Sequence, residues 1–176
     1  MTKPVLHGII YTEVKENPKT KTIGEMKMAT IYFDMDGTLA GLFFVKDFSK
    51  KLSAGDMSPY TEARPLYSAE EMAETIFALK AKGFSIGVIS YADAENLEKA
   101  IEAKMAWLDV NFPYADANKI HIVTKATAKE SFYNDGDILV DDAKVNREAW
   151  EKVGGTSINA YFKAPVKMID ALKALI

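Results

Sequence analysis

Five short runs of β-forming residues alternate with helix-like stretches along this chain, and this alternation constrains the fold more than any other feature. The runs occupy Ala29–Asp34, Lys82–Ser90, Lys119–Val123, Asp137–Val140 and Thr156–Asn159. Strands that alternate with helices form parallel sheets with helices on both faces. The sequence therefore predicts an α/β fold, a three-layer Rossmann-like parallel sheet, within a domain of residues 29–176.

The stretches between the runs carry apolar residues at helical spacing. The best defined is Ser68–Ala81, in which Ser68 and Glu71 form a capping box and Gly83 follows the last turn. Further helices are predicted at Asp93–Val110, Ala143–Val153 and Pro165–Ile176. The predicted helix at Asp93–Val110 has four apolar residues on one face, namely Leu97, Ile101, Met105 and Leu108. Residues 1–28 are patterned only weakly, and we expect an N-terminal extension or an edge hairpin there.

The composition excludes several classes of site and partner. The chain has no cysteine and only two histidines, which excludes disulfides, thiolate metal sites, a cysteine nucleophile and a multi-histidine metal site. A net charge of -3 gives no electrostatic footprint for nucleic acid. We also find neither an apolar run of membrane-spanning length nor the apolar core of a signal peptide. We therefore expect a cytoplasmic protein with a small-molecule partner, and the oligomeric state stays open.

Polar side chains follow the first four runs at the point where each run ends. In a parallel sheet these points lie along the carboxyl edge, where such sheets bind ligands. The residues concerned are Asp34, Asp36, Ser90, Lys125, Lys129, Asp141 and Asp142. Taken alone, each motif has a simpler explanation as an Asp-Gly turn, a strand end or a helix cap. Their convergence on one edge is what predicts a functional site.

Carboxylates crowded at one edge repel each other unless a cation joins them. Mg²⁺ suits hard oxygen ligands and keeps positions for water and a substrate phosphate. The chemistry implied is phosphoryl transfer, in which the metal and a lysine neutralise the developing charge. One carboxylate can act as the nucleophile, while a second protonates the leaving oxygen and later deprotonates water.

The motifs at this edge resemble those of the haloacid dehalogenase (HAD) superfamily of phosphohydrolases. The segment 34–38 (DMDGT) is similar to the DxDGT signature, Ser90 to the second motif, a lysine before the fourth run to the third, and Asp141-Asp142 to the fourth. A narrower resemblance is to small phage and bacterial HAD proteins labelled as 5′-nucleotidases, which are similar to the 5′(3′)-deoxyribonucleotidases. It is carried by Glu62–Leu66, Ala103–Pro113 and Ile138–Trp150.

This resemblance implies a role for each residue of the predicted site. Asp34 would be the nucleophile and a Mg²⁺ ligand, and Asp36 the general acid/base with its backbone carbonyl on the metal. Asp141 would bind Mg²⁺ directly, with Asp142 on the metal or beside it. Ser90 would hydrogen-bond a phosphoryl oxygen.

The phosphate-binding lysine and the cap follow from the same resemblance. The family's lysine follows a short turn, and Lys129 after Thr127-Ala128 fits this better than Lys125, which stays an alternative. In the family a segment after the first core strand forms a cap over the site. Residues 40–67 occupy that place here and suffice for a small cap only, which implies an open site. Its aromatic residues can face a nucleobase or pack the cap down, namely Phe43, Phe44 and Phe48.

The hypothesis is a Mg²⁺-dependent phosphatase that forms an aspartyl-phosphate intermediate on a small phosphorylated substrate, with a nucleoside monophosphate as the candidate. One alternative is a phosphatase of nucleic-acid 3′ ends, which an open site admits and the acidic net charge disfavours. The other is a catalytically idle HAD-fold binding or regulatory protein. It is disfavoured by the presence of Asp34, Asp36, Lys129 and Asp141.

Overall fold

The computed structural model describes residues 29–164 and 166–176. The predicted extension or edge hairpin at residues 1–28 lies outside the described residues, as does Pro165. Within the described ranges the chain forms five strands and six α-helices. No helix within these ranges is long and apolar enough to cross a membrane.

The five predicted strands form one parallel sheet. They are β1 (Thr30–Phe33), β2 (Ser85–Tyr91), β3 (Ile120–Val123), β4 (Ile138–Asp141) and β5 (Thr156–Asn159). The strand order is β3-β2-β1-β4-β5, so β1 lies at the centre between β2 and β4. In the register of the sheet, Phe33 stands beside Val88 on one side and Val140 on the other. The prediction of an α/β, Rossmann-like parallel sheet is confirmed.

The central strands are covered on both faces, which explains their almost continuously apolar sequences. Every residue of β1 and of β4 is buried. The edge strand β3 is half-buried along its length, and β5 buries only Ile158. The best protected part of the sheet is therefore the pair β1 and β4, whose carboxyl ends carry the acidic residues.

Six helices surround the sheet. They are α1 (Phe48–Ser53), α2 (Ser58–Glu62), α3 (Ala69–Ala81), α4 (Leu97–Asn111), α5 (Lys144–Lys152) and α6 (Met168–Lys173). Ser68 caps α3 as predicted, because Glu71 N donates to Ser68 Oγ at 3.4 Å, which is one of the two bonds of the predicted capping box. The last helix is shorter than predicted, because Lys167 is extended and the helix begins only after it.

Helices cover both faces of the sheet, as predicted. Neighbouring residues of a strand point to opposite faces, and β1 thereby contributes to two separate cores. On one face, Ile31 and Phe33 pack with buried residues of α3, α4 and α6. On the other, Tyr32 and Leu139 pack with the fully buried Trp150 of α5. The sheet is therefore the middle layer of three, with helices packed on each of its faces.

The buried face of α4 differs from the predicted one. Its fully buried residues are Ala100, Lys104, Trp107 and Leu108, whereas Leu97, Ile101 and Met105 are only half-buried. Of the predicted face only Leu108 is fully buried. The helix is rotated so that a lysine points into the protein, where it contacts the site described below.

Residues 40–67 connect β1 to α3 through a 3₁₀ turn at Leu42–Phe44 followed by α1 and α2. Tyr60 and Ala63 are buried in the main core. Trp107 Nε1 of α4 donates to Ala63 O at 2.8 Å. This segment is therefore held against α4 at the carboxyl edge of the sheet.

Candidate functional site

The acidic residues lie where the strand order reverses, between the carboxyl ends of β1 and β4. Open parallel sheets bind ligands at such a switch point. Asp34 directly follows β1, and its backbone N donates to Val140 O of β4 at 2.8 Å. Asp141 is the last residue of β4 and is fully buried, while Asp34 is 6% exposed. The backbone pairing of the two strands thus brings these carboxylates together.

Three carboxylates form an acidic triad that can hold a metal ion. One oxygen each of Asp34, Asp141 and Asp142 lies within 4.8 Å of the other two. Burial, followed by the charges of Asp34 and Asp141, raises the pKa of Asp142 to about 6. Burial and the charge of Asp34 also raise the pKa of Asp141. Asp141 and Asp142 therefore hold their protons more tightly than ordinary aspartates do.

Lys129 provides a positive charge to this triad from within the protein. Its Nζ donates to Asp34 Oδ1 at 2.5 Å and to Asp141 Oδ2 at 2.7 Å, and the side chain is 1% exposed. Burial alone would lower the pKa of Lys129, but the attraction of both carboxylates raises it above its ordinary value. The alternative lysine, Lys125, lies exposed at the wall of the neighbouring cavity. The geometry favours Lys129 over Lys125 as the lysine of the site.

Asp36 belongs to a second charge pair, apart from the triad. Lys104 Nζ donates to Asp36 Oδ2 at 2.6 Å and to Ser90 Oγ at 2.7 Å. Tyr60 Oη donates more weakly to the same Asp36 oxygen, at 3.4 Å. Burial raises the pKa of Asp36, and the charge of Lys104 offsets this only in part. Ser90 itself is fully buried.

Sequence analysis missed Lys104 because a lysine inside an amphipathic helix is ordinarily placed on the solvent side. A signal was nevertheless present. Lys104 follows Ala100 by four residues and precedes Trp107 and Leu108 by three and four, so it shares their helix face. A single charge on a stripe that contains tryptophan and leucine indicates a buried charged partner.

The loop after β4 is held in place by its own helix. Arg147 of α5 donates to the carbonyl oxygens of Asp141 and Asp142, both at 2.8 Å. Asn146 Nδ2 donates to Asp141 Oδ2 at 2.9 Å. The N-cap residue of α5 is Ala143, without a side-chain cap, but Asp141 Oδ1 accepts from Ala143 N at 2.7 Å. Asp141 therefore both holds the start of α5 and lines the site.

The turn after β1 requires a glycine at position 37. Gly37 has a φ of 90°, in the left-handed region that favours glycine. A Cβ there would lie 2.4 Å from Phe43 Cε2 and 2.7 Å from Asp142 Oδ2. Thr38 Oγ1 accepts from Asp142 N at 3.0 Å. The turn therefore packs directly against the acidic loop of β4.

A cavity of about 710 Å³ opens above the carboxylates. Asp34, Asp36, Asp141 and Asp142 line its polar side. An apolar wall is defined here by Phe43, Phe48, Leu52, Tyr60, Tyr91 and Val145. The lining also includes further polar residues, namely Ser49, Ser53, Asp93, Lys125 and Asn146. Phe43 and Phe48 meet edge to face with ring centres 5.6 Å apart, whereas Phe44 contacts Phe162 instead. If the phosphate group of a phosphomonoester bound at the polar side, the organic part of that molecule would contact the apolar wall.

Comparison with known proteins adds no family to this description. No protein-family model and no curated protein matches the chain. The functional assignment rests on the geometry of the site itself.

Proposed function

We propose that this protein is a Mg²⁺-dependent phosphomonoesterase of the HAD superfamily that uses Asp34 as its nucleophile. One observation carries the proposal above all others. Asp34 lies in a triad with Asp141 and Asp142, its Oδ1 is bonded to the buried Lys129, and the triad faces an open cavity. Clustered carboxylates, a buried lysine and open space together are what phosphoryl transfer requires.

The triad fits a hard divalent cation. Its donors are carboxylate oxygens, which Mg²⁺ prefers, and no thiolate or imidazole takes part among the described residues. Asp34, Asp141 and Asp142 would hold the ion, together with the carbonyl of Asp36 that the family resemblance implies. When bound, Mg²⁺ would neutralise charge on the phosphoryl oxygens.

The proposed reaction has two steps. First, a carboxylate oxygen of Asp34 forms a bond to phosphorus, and the bond from phosphorus to the leaving oxygen breaks. The leaving oxygen keeps the electron pair and takes a proton from Asp36. Then water attacks the phosphorus of the aspartyl phosphate and gives a proton back to Asp36, which releases phosphate and restores Asp34. Burial raises the pKa of Asp36, and this favours the protonated form that the first step needs.

Lys129 and Ser90 are predicted to support this chemistry in different ways. The Lys129 ammonium, 2.5 Å from Asp34 Oδ1, offsets the negative charge that phosphorus brings to the nucleophile. Ser90 is the predicted hydrogen-bond donor to a phosphoryl oxygen, but its Oγ is fully buried, accepts from Lys104 and lies outside the cavity lining. The structure therefore supports a role for Lys129 in the site more directly than one for Ser90.

The proposed substrate is a small phosphomonoester, with a nucleoside monophosphate as the leading candidate. Residues 40–67 would act as the small cap, and the apolar wall would contact a base or another planar group. Phe43 and Phe48 are the residues best placed for this contact, since both line the cavity. We place the enzyme in the cytoplasm, with which the lack of cysteine agrees.

The test is a panel of nucleotides, sugar phosphates and 3′-phosphorylated oligonucleotides, assayed for phosphate release with and without Mg²⁺. We expect Mg²⁺-dependent release from mononucleotides, and a loss of at least about a thousandfold in Asp34→Asn. Asp109→Asn, which changes an exposed aspartate of α4, is the matched control and should behave as wild type.

The outcomes separate the candidate functions. Preference for the oligonucleotides would favour an end phosphatase, and Mg²⁺ binding without any turnover would favour a regulatory protein. Undiminished turnover by Asp34→Asn would remove Asp34 from the role of nucleophile.

A further inference from the structure

Three exposed aromatic residues form a continuous ridge on the surface of the protein. The ridge consists of Phe44, which follows β1, and of Tyr161 and Phe162, which follow β5. These residues are 64%, 44% and 54% exposed. The ring centres of Phe44 and Phe162 are 5.4 Å apart, and those of Tyr161 and Phe162 are 4.8 Å apart. Single exposed apolar residues are ordinary, but a contiguous apolar patch marks a candidate binding surface.

This aromatic ridge lies beside the candidate site, at the same edge of the sheet. Phe44 belongs to the 3₁₀ turn Leu42–Phe44, in which its neighbour Phe43 lines the cavity over the carboxylates. From the other side, Ala160 N donates to Asp141 O at 3.1 Å, which ties the start of the loop after β5 to the acidic triad. A ligand bound on the ridge would therefore lie close to the cavity.

Four positively charged side chains surround the ridge. Lys163 Nζ lies 5.3 Å from the centre of the Phe162 ring, which is a cation–π distance. A groove of about 290 Å³ on one side of the ridge is lined by Lys46 and Arg64. A groove of about 340 Å³ on the other side is lined by Lys167. None of the four forms a salt bridge with another described residue.

The acidic residues of the two grooves balance these cations only in part. Glu62 and Glu71 form salt bridges with Lys51 and Lys173, at 2.6 and 3.8 Å, and so are already paired outside this set. In the described part of the chain, that leaves Asp170 as the one groove-lining acid without a salt bridge. The ridge therefore has a local excess of positive charge, which the net charge of -3 for the whole chain conceals.

The combination of exposed rings and unpaired cations determines which ligand fits this surface. A chain of carboxylates would use the cations and leave the rings uncovered, whereas an apolar partner would cover the rings and leave the cations without counter-charge. Single-stranded nucleic acid uses both, since its bases stack on aromatic rings and its phosphates contact lysine and arginine. In a duplex the bases are stacked on one another, and their faces cannot reach the rings.

We propose that the aromatic ridge and its four cations bind single-stranded nucleic acid. The rings of Phe44 and Phe162 stack with bases, and the surrounding lysines and arginine contact phosphates. Because every base has a face that can stack, this binding does not depend on sequence. The surface lies outside the proposed catalytic cavity, so the inference goes beyond the proposed phosphatase and does not require it.

The test measures the binding of a fluorescein-labelled oligothymidine of about ten nucleotides, without a terminal phosphate, by fluorescence anisotropy. EDTA in the buffer prevents any Mg²⁺-dependent hydrolysis. We expect a Kd on the order of 10 μM at low salt. The logarithm of the association constant should fall with the logarithm of the salt concentration, with a slope of roughly -0.7 for each phosphate contact.

Substitutions on the ridge separate stacking from charge. Phe44→Ala and Phe162→Ala should each weaken binding about tenfold, because each removes a stacking surface. Phe44→Trp should bind at least as tightly as wild type, since it keeps a ring at that position. Lys163→Gln should weaken binding and reduce the steepness of the salt dependence by about 0.7. Two controls outside the ridge should bind as wild type: Phe77→Ala, at a phenylalanine of α3 that is also 64% exposed, and Lys82→Gln, at an exposed lysine.

Competition experiments identify the class of ligand. Unlabelled oligothymidine should displace the labelled strand. Polyglutamate has charge but no bases, and a DNA duplex does not offer its base faces, so each should compete at least about tenfold less well. Equal competition by polyglutamate would show that the surface responds to charge alone and would overturn the inference.

The inference is also overturned if the oligothymidine does not bind at low salt, or if Phe44→Ala and Phe162→Ala bind it as wild type does. If these two substitutions convert a wild-type dimer into monomers in sedimentation and leave the affinity for the oligothymidine unchanged, a second copy of this chain covers the ridge instead. A protein that binds the oligothymidine through the ridge but releases phosphate from no ester would refute the proposed function and leave this inference standing.

Discussion

Replacing Lys129 with methionine should destabilise the protein strongly, and in a manner that depends on pH and Mg²⁺. The ammonium lies 2.5 Å from Asp34 Oδ1 and 2.7 Å from Asp141 Oδ2, and the Lys129 side chain is 1% exposed. Removing one partner of a buried pair costs about 3–5 kcal/mol, because the other charge is left uncompensated. For a chain of this size such a loss lowers Tm by roughly 10 °C.

The pH dependence follows from the protons that the folded variant must take up. In the folded wild-type protein the charge of Lys129 opposes the rise in the pKa of Asp141 that burial causes. Without Lys129 that pKa rises further, so the folded state binds a proton on Asp141 that the unfolded chain does not. The free energy of unfolding then rises as the pH falls, by about 1.4 kcal/mol per pH unit for each extra proton. In EDTA the difference in the free energy of unfolding between variant and wild type should be largest at about pH 8 and smallest at about pH 5. The lower value is the closer of the two to the ordinary pKa of a carboxyl group.

Urea unfolding curves at these two pH values, with EDTA or with Mg²⁺, provide the measurement. The proposed binding of Mg²⁺ to the folded triad would replace the missing charge, so we expect Mg²⁺ to recover much of the lost stability. Lys51→Met is the matched control: its ion pair with Glu62 is 2.6 Å long but exposed to solvent, so we expect little change in the free energy of unfolding. A Lys129→Met protein as stable as wild type in EDTA near pH 8, or one whose deficit ignores both pH and Mg²⁺, would refute the reasoning.

Three further predictions concern the acidic loop and the sheet. In EDTA, the free energy of unfolding of the wild-type protein should fall as the pH rises from about 4 to about 7. The reason is the raised pKa of Asp142, about 6, which makes the folded state bind more protons than the unfolded chain. Rising stability over that range in urea titrations would contradict this prediction. Arg147→Met removes the donor to the carbonyl oxygens of Asp141 and Asp142. We expect it to weaken Mg²⁺ binding at least about tenfold, as measured by calorimetry. An unaltered affinity would show that the conformation of this loop does not depend on Arg147. Gly87→Ala would put a Cβ 2.5 Å from the Tyr32 ring and 2.9 Å from Lys119 O, so we expect a loss of about 1–3 kcal/mol in thermal melts, and an unchanged Tm would mean that the ring moves freely.

The strands and the convergence of the acids were predictable because both depend on short-range patterns. Apolar runs that end in a carboxylate, such as those ending at Asp34 and Asp141, define a strand and its carboxyl end at once. Parallel pairing then brings those ends to one edge whatever the details of the helices. The N-cap bond at Ser68 was predictable for the same reason, since it joins residues three apart.

The sequence alone does not show which side chains contact each other in the folded protein. The helical rotation that buries Lys104 differs by a fraction of a turn from the one that would bury Met105, and hydrophobicity alone favoured the latter. Likewise, the sequence grouped Asp36 with the other acids, whereas its carboxylate pairs with Lys104 apart from the triad. The helix face that Lys104 shares with Trp107 indicates that the lysine is buried, but the identity of its partner depends on contacts between distant segments.

Each aspartate of the motif after β1 has a buried lysine of its own, and the two lysines come from different segments of the chain. Lys129 serves Asp34, and Lys104 serves Asp36. A relative in which a neutral residue replaced Asp36 would keep an uncompensated cation in its core until Lys104 changed as well. We expect relatives in which Asp36 is replaced by a neutral residue to lack Lys104 as well.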